Sequence, residues 1–176
     1  AGEIAQIARE READCVGFKL WNGPGFTIPV MIARELKRLN PDLHIAAGGP
    51  QVDYFMKNIY AVDPPFDFLI YAEGEAALLR QVERIGGSGE GIGEIPNTIY
   101  RAGGEVKKTA LQRVLALDTL PFPAYDNESY PAMAGRKVLF PVVEESRGCD
   151  NFCTFCGHSV KSGGEIIARS PQRVVD

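Results

Sequence analysis

Three of the four cysteines, Cys149, Cys153 and Cys156, sit within the eight residues CDNFCTFC. A disulfide uses two thiols and a closed four-coordinate metal site uses four ligands, so three thiols on one short loop ask for a different chemistry. Thiolates this close in sequence can converge on one compact metal centre. A four-iron cube closed by protein needs four ligands; three leave one iron open, where a small molecule can chelate it. That suits a cluster passing an electron into a ligand it holds. Two plainer readings stand beside it. His158 completes a Cys3His tetrahedron for zinc with the same cysteines, or the thiols are reduced structural residues crowded without a role.

The elements that must position this loop follow from the pattern around it. KVLFPVVEESRGC is a β-rich run that delivers the chain to the cysteines, and the proline-punctuated LDTLPFPAYD before it reads as a connector. Upstream, helix and strand alternate. DCVGFKL, HIAAGGP and FDFLIY read as three strands, the first two followed by the loosened turns WNGPG and Gly48-Gly49-Pro50. Between the first two strands, TIPVMIARELKRLN places Ile28, Ile32, Leu36 and Leu39 on one helical face beside Met31, with Thr27 as N-cap and Asn40-Pro41 as the stop. VDYFMKNIY is a short helix, and the helix after AEGE carries Leu78, Leu79, Val82 and Ile85. Strands separated by helices of this length imply βαβ units and a parallel sheet. GGSGEGIG is a loop that lacks the register of a dinucleotide fingerprint. NTIYRAGGEVKKTA is a hairpin closed by Gly103-Gly104.

Composition narrows the function. Charge is 19 minus 23, or −4, which supplies no electrostatic reason for nucleic acid or an anionic membrane as partner. No apolar run reaches the ~18 residues of a membrane-spanning helix, and no signal-peptide pattern opens the chain. Crowded thiols in such a chain favour metal or redox chemistry in a reducing, cytoplasmic setting over a secreted disulfide framework. The sequence opens without Met, directly in a helical pattern, so an internal fragment of a larger protein is expected.

SRGCDNFCTFC at the end of a strand resembles the C-x3-C-x-aromatic-C signature of the radical S-adenosylmethionine enzymes, with Asp150 standing where a proline is common. The resemblance implies that Cys149, Cys153 and Cys156 bind three irons of a 4Fe–4S cluster, and that S-adenosylmethionine chelates the fourth. Phe155 would lie against the adenine side of that ligand. Electron transfer into the sulfonium would then break a carbon–sulfur bond and release a 5′-deoxyadenosyl radical. ARSPQRVVD resembles the family's approach to its next helix. Gly163-Gly164-Glu165 and Gly103-Gly104-Glu105 are read as turns and not as a substrate-contacting element.

An α/β unit, a hairpin, a connector and then this motif is similar to the cobalamin-binding radical S-adenosylmethionine proteins. That implies a partial flavodoxin-like (Rossmann-like) parallel sheet with a β-hairpin extension, then the first β-strand and cluster loop of a (β/α) barrel. The expected boundaries are 1–114 for the partial cobalamin domain with its hairpin, 115–137 for a linker, and 138–176 for the start of the radical domain. DCVGFKL, HIAAG and FDFLIY would be the third, fourth and fifth strands of the five, the first two being absent, and a barrel of ~200 residues would continue beyond Asp176.

Ligands of such sheets sit beyond the carboxyl ends of the strands. Cobalamin would there meet Asn22, Gly23, Gly48, Gly49, Glu73 and Gly74. Its glycines would admit the ring, while Asn22 and Glu73 would bond its amide rim. Ordinary turn chemistry accounts equally for each loop taken singly. His44 opens a strand in DLHIAAGG and is read as a strand-edge histidine, not a cobalt ligand, and Cys15 as a small apolar residue. The resemblance implies an enzyme for radical methyl transfer or ring formation on a small-molecule substrate, with an electron donor such as flavodoxin or ferredoxin. The chain by itself is expected to turn over nothing. A zinc-stabilised module or a corrinoid-binding module without a cluster are the alternatives.

Overall fold

In the computed structural model, which describes residues 2–123, 143–156 and 164–175, strand and helix alternate from the amino end. The chain divides into two units, Ala1–Arg113 and Val114–Asp176. The first contains α1 (Gly2–Glu10), β1 (Cys15–Lys19), α2 (Pro24–Leu39), β2 (His44–Gly48) and α3 (Pro50–Phe55), which runs into a 3-10 segment (Met56–Val62). β3 (Phe68–Ile70), α4 (Glu75–Ile85), β4 (Thr98–Ala102) and β5 (Glu105–Lys108) complete it.

The five strands form one sheet in chain order. β1, β2 and β3 are parallel, registered from Cys15 opposite His44 to Lys19 opposite Gly48, and from Ala46 opposite Phe68 to Gly48 opposite Ile70. The hairpin does more than extend the chain. β4 pairs antiparallel with β3, Thr98 opposite Ile70, so β3 becomes the central strand. The result is a mixed α/β, Rossmann-like sheet, parallel over its first three strands. Among the described residues β1 pairs only with β2, which leaves its outer backbone groups open.

One face of the sheet carries the principal core: Leu20, Ile45, Ala47, Leu69 and Ile99 from strands and loops pack with Val30, Ala33 and Leu36 of α2, Val52 of α3 and Ile59 of the 3-10 segment. Two helical faces differ from the periodic expectation. α2 begins at Pro24 with Gly23, not Thr27, at its N-cap, and buries Val30, Ala33 and Leu36. Met31 (66% exposed), Ile28 and Leu39 lie outside. α4 buries Ala77 and Gln81, while Leu78, Leu79 (59% exposed) and Val82 face outward. The inward side is set by what lies beneath it. The Gln81 amide donates to Thr98 Oγ1 at 3.2 Å and accepts from Arg84 Nε at 2.9 Å, and the Arg84 guanidinium lies 6.0 Å from the Phe68 ring. A polar site on the sheet takes a polar residue of the helix, because a buried unpaired amide or hydroxyl is costly.

Tyr60 is buried in the same core, its hydroxyl donating towards Phe66 O and Ile99 O at 3.3 and 3.4 Å. Burial pushes its phenol well above the usual tyrosine range, with the Arg101 guanidinium opposing. The fold therefore favours the neutral phenol. That contribution is fully present below the unfolded pKa of about 10 and is lost as pH rises from there towards the folded value. Thermal melts of wild type should lose stability steeply above about pH 10, and Tyr60→Phe should flatten most of that loss while costing about 1 kcal/mol at neutral pH.

The second unit contains a 3-10 turn (Leu117–Thr119), β6 (Ser146–Gly148), β7 (Ile166–Ala168) and α5 (Pro171–Val175). β6 and β7 pair antiparallel, Ser146 opposite Ala168. Two expectations shift here. Residues 143–145 are not strand, and β6 covers only the three residues before Cys149; the earlier part of KVLFPVVEE lies outside the described residues. The ladder seen is an antiparallel pair, not parallel barrel strands. Glu144 ties it together: Arg147 donates two bonds to its carboxylate at 2.7 and 2.9 Å, and Arg169 Nε donates to its carbonyl at 2.9 Å. Arg169 Nη1 also reaches Leu117 O at 2.6 Å. Ser170 caps α5 by accepting from the Arg173 amide, and Pro171 opens the helix. The Ser170 hydrogen bonds hold the Asp118 carboxyl below its usual range. No helix among the described residues is long and apolar enough to cross a membrane.

Candidate functional site

The cysteine loop leaves β6 at Cys149. None of the cysteines is in a disulfide, and Cys153 is exposed while Cys149 and Cys156 are half-buried. The Cys156 amide donates to Cys153 O at 3.0 Å, a tight turn that keeps those two residues together, and Asn151 Nδ2 approaches Cys149 Sγ at 3.5 Å. The tip of the Phe152 ring points at Gly164, where a Cβ would lie 2.5 Å from Cζ and 3.3 Å from Cε1 and Cε2, so a larger residue there would have to push the ring aside. Phe155, by contrast, is 90% exposed, an apolar ring presented to solvent beside the thiols. Among the described residues no group of three or more His, Cys, Asp or Glu is gathered in a metal-holding arrangement. The donor chemistry nonetheless fits a thiophilic iron cluster: three cysteine sulfurs outside any disulfide lie on one short loop. His158 and Gly163 lie outside the described residues. Gly164 is in a turn, as read from the sequence.

The second set of candidate residues gathers at one edge of the sheet. Lys19, Gly48 and Ile70 form a single row across β1, β2 and β3, and Thr98 of β4 continues it. The parallel register thus brings the loops after all three strands side by side. Their glycines differ in what they accommodate. A Cβ on Gly48 would lie 3.3 Å from Ile70 O, and one on Gly49 would lie 3.1 Å from Leu20 O and 3.3 Å from Leu20 N. Those two glycines pack close to neighbouring backbone. Gly23, at the α2 N-cap beside Asn22, faces open space, with nothing within 4 Å of a Cβ position, and Gly74 would meet only Ile70 Cγ2 at 3.6 Å. Trp21 lies exposed in the same loop with Lys19 Nζ 5.1 Å over its ring. Of the candidate glycines, Gly23 and Gly74 therefore have the most open space around a Cβ position. Glu73 is turned inward: its side chain is 11% exposed and its carboxylate stands 3.9 Å from Arg113 Nε.

His44 opens β2, its amide donating to Asp14 O at 3.0 Å, at the end of the sheet opposite these loops. Cys15 is half-buried, and that burial pushes its thiol pKa up, as expected of an apolar residue.

Two residues at this edge escaped the sequence reading. Asp53 of α3 accepts the Ala72 amide at Oδ1, 2.6 Å. Ala72 has φ 59, a left-handed conformation that costs a non-glycine residue about 1 kcal/mol. Asn97 is buried and fully satisfied. Its Nδ2 donates to Glu73 O and Gln112 O, both at 2.8 Å, and its Oδ1 accepts the Gln112 amide at 2.7 Å. Its carbonyl accepts the Tyr71 amide at 3.0 Å. The one hint in the sequence is that asparagine tolerates the left-handed region Asn97 occupies, φ 56.

No family profile matches the chain. It is 26% identical over 175 residues to an uncharacterised methyltransferase of Pyrococcus horikoshii, covering 99% of this chain and 38% of that protein. It is 30% identical over 205 residues to the cytidylyl-2-hydroxyethylphosphonate methyltransferase of Streptomyces wedmorensis, covering 99% and 38%. Among solved structures it superposes on the cobalamin-dependent S-adenosylmethionine radical enzyme OxsB, with aqua-cobalamin and S-adenosylmethionine bound, at a TM-score of 0.72 and 21% identity, over 98% of this chain and 24% of that one. It also superposes on the radical S-adenosylmethionine methyltransferase TsrM of Kitasatospora setae, with cobalamin and a [4Fe-4S] cluster bound, at 0.66 and 15%, over 98% and 36%. The chain spans little more than a third of the length of the two curated relatives. With its parallel sheet edge and its three-cysteine loop, the chain is thus similar to methyltransferases in sequence and to cobalamin-dependent radical S-adenosylmethionine enzymes in fold, in each case over a part of those longer proteins.

Proposed function

We propose that this chain supplies the cobalamin-facing sheet edge and the cluster-binding loop of a cobalamin-dependent radical S-adenosylmethionine methyltransferase. The observation that carries it is the loop 149–156, where three thiols outside any disulfide follow β6 directly beside an exposed aromatic ring. Cys149, Cys153 and Cys156 would hold three irons of a 4Fe–4S cluster and Phe155 would flank the adenine of S-adenosylmethionine. When bound, the cluster supplies the electron that opens the sulfonium, and cobalamin supplies a methyl carrier. The chain's own task is placement. Gly23 and Gly74 leave room for the corrin ring, Asn22 bonds its amide rim, and Gly48 and Gly49 let the backbone beneath fold tightly. Glu73 acts through its carbonyl and its ion pair, shaping the loop.

Methyl transfer is preferred to ring formation because the relatives that match the chain over its full length are methyltransferases. The substrate is a small molecule, bound by a (β/α) barrel of which the cysteine loop is the opening, and the electron comes from a flavodoxin- or ferredoxin-like donor. Unoxidised clustered thiols suit the cytoplasm.

The test is anaerobic reconstitution of the 176-residue chain with iron and sulfide, followed by metal analysis and visible spectra with and without S-adenosylmethionine. About four irons per chain and a spectrum that shifts on adding S-adenosylmethionine are expected. A chain that retains zinc and takes up no iron returns the loop to a Cys3His site and ends the radical assignment.

A further inference from the structure

We propose that Asp53 and Asn97 are positioning residues for the loop after β3, clamping it from two sides so that Gly74 and the α4 amino end stand where cobalamin is bound; this rests on the cobalamin reading above. The loop cannot hold its shape by itself. Ala72 sits in a left-handed conformation without glycine's freedom, and it lies two residues past the end of β3, where the ladder to β2 has already ended at Ile70. Two outside groups satisfy its backbone. From α3, the Asp53 carboxylate takes the Ala72 amide at 2.6 Å. From the segment before β4, Asn97 takes the Tyr71 amide through its carbonyl at 3.0 Å and gives its side-chain amide to Glu73 O at 2.8 Å. Three successive residues are thus fixed by partners 19 to 26 positions away in sequence (Ala72 to Asp53, Tyr71 to Asn97; 72 − 53 and 97 − 71). Asn97 is buried, and half-buried Asp53 has its carboxylate engaged by the Ala72 amide. They act on a ligand through the loop and not by touching it.

The experiment pairs two readouts on the 176-residue chain. Hydroxocobalamin titration followed by visible absorbance measures binding, and amide hydrogen exchange of the free chain measures the clamp at Ala72. Asp53→Ala should weaken hydroxocobalamin affinity about tenfold or more and speed exchange of the Ala72 amide, because a charge-assisted bond is lost at the loop. Asp53→Asn keeps an acceptor oxygen and should return affinity to within about threefold of wild type. Asn97→Ala should behave like Asp53→Ala. Tyr60→Phe, which removes buried hydrogen bonds at another place in the same unit, should lower the melting temperature without changing affinity. Should Asp53→Ala not fold, Asp53→Glu, which moves the carboxylate by one methylene, carries the same expectation.

The inference is overturned, with the cobalamin reading intact, if Asp53→Ala binds like wild type, if Tyr60→Phe weakens binding equally, or if the wild-type Ala72 amide exchanges at the rate of an open loop. Failure of the wild-type chain itself to bind hydroxocobalamin overturns the cobalamin reading and leaves the clamp with nothing to position.

Discussion

On the proposed three-thiolate ligation, alanine at Cys149, Cys153 or Cys156 is expected to lower the iron and sulfide retained after anaerobic reconstitution by about tenfold or more, with the charge-transfer absorbance falling in parallel. The effect should be similar at all three positions, because a cube that already presents one open iron cannot spare a second protein ligand. His158→Ala should leave iron uptake unchanged. A zinc site predicts another pattern: each cysteine and His158 would matter alike, and the retained metal would be zinc in every folded variant. Metal analysis of the four variants decides between the two. The surroundings of the loop make the comparison clean, since no cysteine is tied in a disulfide. Alanine there is therefore expected to change the thermal stability of the metal-free chain by less than about 1 kcal/mol.

Gly49→Ala is expected to destabilise the first unit by about 3 kcal/mol, read as a lowered denaturant midpoint with unchanged slope. Two effects act together. Gly49 has φ 97, ψ −177, a region open essentially to glycine alone. Its new methyl would also press on the carbonyl and amide of Leu20, at 3.1 and 3.3 Å. These belong to backbone already fixed by the Leu20 amide donating to Gly48 O at 2.7 Å and by the Gln51 amide donating to Leu20 O at 3.3 Å. Neighbouring backbone cannot swing aside as a flexible side chain would. Gly23→Ala carries the backbone strain of a positive φ (59) but no contact, since a Cβ there meets nothing, and should have a smaller effect on stability and a larger one on hydroxocobalamin affinity. A Gly49→Ala chain as stable as wild type would show that the β2–α3 turn is not held against Leu20 as described.

Much of the architecture was legible because its signals are local. β1, β2 and β3 each come from a contiguous β-rich run, and the intervening helices have the length of a βαβ crossover. The α5 start is written in Ser170-Pro171. Helical faces were less legible. The spacing of Leu78, Leu79 and Val82 marks an apolar stripe on α4, yet the sheet beneath offers Thr98 and the Phe68 ring and takes Gln81 and Ala77 instead. The choice depends on the strand a helix crosses, which periodicity does not encode. Similarly, the hairpin was visible as a hairpin, while its pairing with β3, which moves β3 to the centre of the sheet, joins segments on either side of α4.

The candidate site divides along the same line. The cysteine triplet and its aromatic neighbour are short-range chemistry, and their types and spacing are enough to mark a candidate metal centre, with iron favoured over zinc by the family resemblance. The positions Gly48 and Gly49 were also evident; the structure adds that they pack close to Ile70 and Leu20 backbone, while Gly23 opens outward. Asp53 and Asn97 could not be found from spacing, since each becomes meaningful only through a partner at the end of a different strand. The sequence by itself determined the cluster of three thiols, the alternation of strands and helices and the family resemblance. Only the tertiary structure decided which loops share one edge, which glycines face open space and what holds Ala72 in a strained turn. The cause is physical: ligand type and strand propensity belong to neighbouring residues, whereas a cradle and its clamps exist only once the parallel register sets distant segments side by side.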